Sequence, residues 1–238
     1  MPSLTRTKSI IIGVVAIAIA GGSYAIVDAT SGSGSSTASS GPSTASTGFA
    51  GRSGSGGGSN ARSGPEPGGT SGTVSRTSTS GFTVTTAGAV KVTIKETSST
   101  SYENGTNPAS ATAVTTGKPV LVLGTTDNTT ITAAQVIVEP PASNSSTASE
   151  VIFFQKGRSG STKEVGQIPA DYVQGQGTIV SGTEADQATE AALAAYPGGI
   201  IDRVVKLGNG DYEVHNIGVN WPHHVFVNQD FKVIGAND

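Results

Sequence analysis

Three histidines, His215, His223 and His224, are the only ones in the 238 residues, and they lie close together near the C-terminus. Imidazole is the commonest metal ligand and the side chain that titrates near neutral pH, so chemistry is sought here first. A metal centre needs three or four converging ligands. Neighbours on a strand point to opposite faces, so His223 and His224 are not expected to share an ion. His215 could join one of them across adjoining strands, with Glu213 or Asp211 beside it. This spacing is not a metal-binding pattern, so neither a metal nor another cofactor is expected. The imidazoles read as partly exposed groups bordering an aromatic patch.

Trp221, the only tryptophan, precedes Pro222 and sits between two expected strands; a residue before proline is held extended. With Tyr212, His223 and Phe226 it could form an exposed patch that binds a peptide or protein partner. The competing reading has Trp221 closing the end of a small core. Hydrolytic chemistry finds little support. Serines cluster in low-complexity runs such as 32–36 and 54–58, outside the strand-turn-helix setting a nucleophile needs. Carboxylates in the folded parts are too scattered to nominate an acid–base pair. There is no cysteine, which removes thiol chemistry, disulfides and thiolate metal sites. The chain is not expected to be an enzyme.

The elements that would hold these residues emerge from the pattern upstream and around them. From Thr183 to Tyr196 the sequence is Ala-rich, with Ala185, Ala188, Ala192 and Tyr196 at helical spacing. Thr183 is the expected N-cap, and Glu184 and Asp186 place negative charge at the positive end of the helix dipole. Pro197-Gly198-Gly199 stops the helix. Strands are expected at Ile200–Leu207, Asp211–Val219, His224–Asn228 and Phe231–Ile234, where apolar and polar residues alternate. Gly208-Asn209-Gly210-Asp211 should turn the first of these into the second as a hairpin. This order, with the Pro-Gly stop and Tyr212-Glu213-Val214, resembles a PepSY domain. That resemblance implies an extracytoplasmic bacterial module, with regulation of an envelope protease or another envelope protein as its expected role.

A second set of strands precedes it. Phe82/Val84 and Val90/Val92/Ile94 alternate with polar residues and join near Ala87-Gly88. Val120–Leu123 is a continuous apolar run, and Ile131 with Val136–Val138 follows a turn at Asp127-Asn128. Short strands with almost no helical period indicate a small β-barrel. Gly72-Thr73-Val74, Phe82–Thr85, Gly117–Gly124 and Thr132–Val136 resemble a bacterial extracytoplasmic β-barrel domain of unknown function. In that resemblance, Lys118-Pro119 replaces an acidic-then-basic pair.

Composition sets the surroundings. Charged residues are 13% of the chain and glycine supplies 33 positions, against about 25% charge in ordinary domains. A formal net charge of -3 offers no basic stripe for nucleic acid. Arg6 and Lys8 precede an apolar run to about Val27, long enough to span a bilayer and also compatible with a signal peptide. Both readings place the body outside the cytoplasmic membrane, either single-pass or secreted after cleavage. The expected organisation is a signal-anchor or signal peptide at 1–28, then a disordered Gly/Ser/Thr-rich linker at 29–70. A small antiparallel β-barrel at 71–139 follows, then a connecting segment at 140–182 and the PepSY-like α+β module at 183–238. The fold class is therefore mainly β, with one helix packed on an antiparallel sheet in the C-terminal module. A structural envelope protein with no specific ligand is the alternative to a binding role.

Overall fold

The computed structural model describes residues 64–141, 150–157 and 163–238. The expected N-terminal anchor or signal and most of the expected linker lie outside them. Among the described residues, no helix is long and apolar enough to cross a membrane.

In the first half, β1 (Glu66–Ser78), β2 (Gly81–Thr85), β3 (Lys91–Lys95), β4 (Ser101–Asn104), β5 (Asn107–Pro108), β6 (Pro119–Asp127) and β7 (Thr130–Val138) follow in order. Five of them close into a barrel: β1 pairs with β2, β2 with β3, β3 with β7, β7 with β6, and β6 with β1. Only the β3–β7 contact of the ring is parallel. Closure removes the free edges an open sheet would expose. Val74, Phe82, Val84, Val92, Ile94, Val120 and Val122 fill the barrel. On β7 the inward pairs are Ile131/Ala133 and Val136/Val138, out of step with simple alternation. A bulge opposite Leu123/Gly124 inserts Ala134 and restores the phase.

The barrel begins earlier than expected. β1 starts at Glu66, so Pro67, Gly68 and Gly69 belong to the sheet rather than to the linker. Linker-like composition concealed a requirement for the smallest side chain. A Cβ on Gly68 would lie 2.0 Å from the carbonyl oxygen of Ile201, and one on Gly69 would lie 2.3 Å from that of Val122.

The second half adds β8 (Ile152–Phe153), β9 (Val165–Gly166), β10 (Thr178–Ile179), α1 (Thr183–Ala195), β11 (Ile200–Lys206), β12 (Tyr212–Ile217), β13 (Val219–Trp221), β14 (His224–Val227) and β15 (Val233–Asn237). β11, β12, β14 and β15 form an antiparallel sheet, and the expected hairpin turns at Gly208–Asp211, with Gly210 at φ 89°. The helix ends where Pro197 and Gly198 require, but its N-cap differs from the expectation. Gly182, at φ 68°, takes that place and gives no side-chain cap, while Thr183 is the first helical residue. The glycine supplies a positive φ that Thr183 could reach only with strain.

Ala185, Ala188, Ala192, Leu193 and Tyr196 face inward, as the spacing predicts. Their small volumes let α1 lie between two surfaces. One is the barrel exterior, through Leu121, Leu123 and Ile137; the other is the sheet, through Ile201, Val204, Val214, Val225 and Val227. The main sheet is also continuous across the two halves. β1 pairs with β11 at Gly69↔Ile201 and Thr70↔Ile200, beside its pairing with β6. Thr70 Oγ1 donates to the Gly199 carbonyl at 2.9 Å, and Ile200 joins the barrel core. Gly68→Ala should therefore strain this seam and lower stability by about 1–3 kcal/mol, measurable as a lower urea midpoint with circular dichroism.

Candidate functional site

The sheet face turned away from α1 carries the chain's three histidines. On β12, Tyr212 and Val214 point to the helix side, so Glu213 and His215 point to the other. On β14, Val225 and Val227 face the helix and His224 and Phe226 the opposite side. The register places His215 directly across from His224. On β11 a bulge falls between Ile201 and Arg203, and the register skips Asp202. Such an extra residue re-aims a side chain. Here it brings the Asp202 carboxylate to His215.

The resulting network is compact. His215 Nδ1 lies 2.6 Å from Asp202 Oδ1, and His224 Nδ1 lies 2.7 Å from Glu213 Oε1. With an ionised carboxylate, which can only accept, the Nδ1 is the donor of each pair. Arg203 stands between the acids, 4.0 Å from Asp202 Oδ1 and 3.8 Å from Glu213 Oε1. Glu213 has no exposed surface, and the His224 side chain is 4% exposed. The three imidazoles are grouped: His215 is 5.2 Å from His224 and 6.4 Å from His223 between ring centroids.

Residues 163–180 cover this face. Ile168, Tyr172 and Ile179 pack on Val205, Leu207 and Phe226. Tyr172 meets Phe226 edge-on at 4.7 Å and His224 at 5.8 Å. Burial, then the Glu213 charge, push the Tyr172 phenol well above its ordinary value. The covering segment also extends the sheet, with β9 paired to β15. Its two-residue strands gave no period to read in the sequence.

The histidines thus depart from the expectation of partly exposed imidazoles. His224 is buried in a hydrogen-bonded pair, His215 is largely covered, and only His223 is half-exposed. His223 lies in the bend before β14, so strand alternation does not govern it. Burial lowers its pKa most; His215 and His224 lower it further, while Asp238 opposes them. The unfolded chain then binds that proton more tightly than the folded one. The His223 contribution to stability is fully present above pH 6.5 and declines as pH falls below it toward the folded value. His223→Asn should flatten this part of the stability profile, as read by urea unfolding between pH 7.5 and 5.

The aromatic patch expected from Tyr212, Trp221, His223 and Phe226 does not form. Tyr212 is 3% exposed, and Trp221 and Phe226 have no exposed surface. Tyr212 packs on the helix side, while Phe226 lies beneath Tyr172 on the other. Trp221 is built into β13, which pairs with β8; its Nε1 donates to the Lys163 carbonyl at 2.7 Å. Tyr196 meets its ring edge-on at 5.6 Å, and the Lys163 ammonium lies 4.7 Å from it. Of the two readings of Trp221, the core reading describes its place.

Chemically, each carboxylate orients an imidazole and leaves its Nε2 as the free ring nitrogen. Metal ligands and general bases are held in this way. Yet among the described residues no group of three His, Asp or Glu side chains has the arrangement to hold a metal ion. The network reads as a fixed internal charge cluster. No known family, curated protein or solved structure matches this chain.

Two open hollows lie elsewhere, along the outer edge of α1. One hollow of about 410 Å³ is lined by Ser71, Leu121, Pro140, Pro141, Glu190, Leu193 and Ala194. Another, of about 350 Å³, is lined by Gln187, Glu190, Ala191, Ala194, Asp230 and Phe231. No histidine lines either one. Sequence reading missed this surface because its walls come from five separated stretches of chain, none with a chemical motif.

Proposed function

We propose that this chain is a non-catalytic extracytoplasmic bacterial protein, tethered to the membrane by its N-terminal segment, whose PepSY-like C-terminal module binds an envelope partner. An envelope protease is the first candidate. The observation that carries this reading is the separation of the histidine–carboxylate network from the open hollows. The histidine–carboxylate network is packed under residues 163–180, whereas the open hollows flank α1 and contain no catalytic constellation. An arrangement of that kind suits contact better than turnover.

Burial of Trp221 favours a second reading, a structural envelope protein without a specific ligand. The two are separated by immobilising the full chain in detergent and titrating it with envelope extract of the producing bacterium. Saturable capture that Ala194→Arg abolishes, with the circular dichroism of the chain unchanged, supports the binding reading. Capture that does not saturate, or that ignores the substitution, overturns it and leaves the structural reading.

A further inference from the structure

We propose that the two hollows form one docking groove for an extended peptide presenting a cation between two apolar side chains. This rests on the interaction reading above and supplies the chemistry of the partner. Glu190 and Ala194 line both hollows. They are four apart on α1 and therefore stacked on the same helix face, so the hollows meet across one low ridge. At that ridge Ala194 leaves room for a crossing backbone. On one side the lining is apolar through Leu121, Leu193, Pro140 and Pro141, and on the other through Ala191 and Phe231.

Among the described residues, the charges at the groove have one sign: Glu190 and Asp230 line it, and no lysine or arginine does. Neither carboxylate has an ion-pair partner among the described residues. Glu184, further along α1, already holds Lys206 at 3.1 Å. A cation arriving at Glu190 would therefore meet an exposed carboxylate with no ion-pair partner among the described residues, beside apolar walls, where complementarity selects the partner.

One wall is set before any ligand arrives. Phe231 has φ 55°, an uncommon conformation for a bulky residue. Asn228 fixes it: its carbonyl accepts from Phe231 N–H, and its Oδ1 accepts from the amides of Asp230 and Lys232. The ring stacks on Tyr212 at 5.4 Å. Strained residues held this firmly are typical of ligand clamps. In an extended peptide, alternate side chains share a face at about 6.6 Å spacing. The fitting pattern is thus apolar, any residue, cation, any residue, apolar, with the cation over Glu190.

The test uses the full chain in detergent micelles, with protein-free micelles as blank. Fluorescein-labelled Leu-Ser-Arg-Ser-Leu is titrated by anisotropy beside Leu-Ser-Glu-Ser-Leu. The arginine probe should bind saturably and at least about fivefold more tightly than the glutamate probe. Glu190→Lys should reverse that order, and Ala194→Arg should abolish both, each variant keeping its circular dichroism. Equal binding of the two probes, or an order that Glu190→Lys leaves unchanged, overturns the proposal. Should the probes fail while saturable, Ala194-sensitive capture of an envelope protein persists, the occupant is wrong and the interaction reading stands. Should both fail, both fall.

Discussion

Trp221→Ala should destabilise the chain by about 3–5 kcal/mol, the range for removing a fully buried large aromatic side chain. The indole has no exposed surface, and three separate stretches of chain meet on it. Tyr196 at the end of α1 contacts one edge, Lys163 accepts its N–H and lies over its ring, and Ile152 of β8 is its ladder partner. Deleting the ring opens a cavity that these neighbours cannot collapse into independently. Trp221→Phe keeps most of the packing and loses the hydrogen bond, so it should cost only about 1–2 kcal/mol. Urea unfolding followed by far-ultraviolet circular dichroism measures both. Equal and small effects would show that the ring is not held by its packing.

Glu213→Ala should be comparably damaging, at about 3–5 kcal/mol, through charge rather than volume. The side chain is wholly buried, accepts from His224 Nδ1 and faces the Arg203 guanidinium. Its removal takes the acceptor from His224 and leaves Arg203 with Asp202, 4.0 Å away, as its remaining acidic neighbour. Arg203 Nε already lacks a hydrogen-bond partner, so the loss of one of two neighbouring charges is felt strongly. Glu213→Gln keeps an acceptor for His224 and removes only the charge, so its loss should be smaller. The ranking of the two variants by chemical denaturation at pH 7.5 checks the assignment. Identical losses would place the whole effect in desolvated shape rather than charge.

What the sequence disclosed was local. Ala185, Ala188 and Ala192 showed a helix face because the period needs only one turn of context. Gly210 showed a hairpin because the turn demands a positive φ. The barrel strands were visible where inward residues alternate, as at Phe82/Val84 and Val92/Ile94. What escaped depends on partners far away in the chain. The bulge at Asp202 has no composition cue, yet it brings that carboxylate to His215. Trp221 reads as a patch or a core residue until residues 152 and 163 are known to cover it. The α1 groove was invisible for the same reason, since Leu121, Pro140, Glu190 and Phe231 become neighbours only on folding.

The strand shared by both halves also dictates an order of events. Every pairing that closes the barrel lies between Glu66 and Val138, whereas the seam joins Thr70 to a segment 129 residues later. By the (3/2)RT ln n estimate, so long a loop costs roughly 0.8 kcal/mol more to close than the Thr70↔Val122 pairing inside the barrel. A chain emerging N-terminus first would therefore complete its barrel with one stretch of β1 edge still vacant. That vacancy at Gly69-Thr70 is a template awaiting β11, and until the C-terminal half arrives it is also the place where a neighbouring unfinished chain could pair. The narrow glycine register there admits only a strand that can approach as closely as Ile200-Ile201. Selectivity during assembly would thus reside in the same crowding that penalises a side chain at Gly68 in the finished protein.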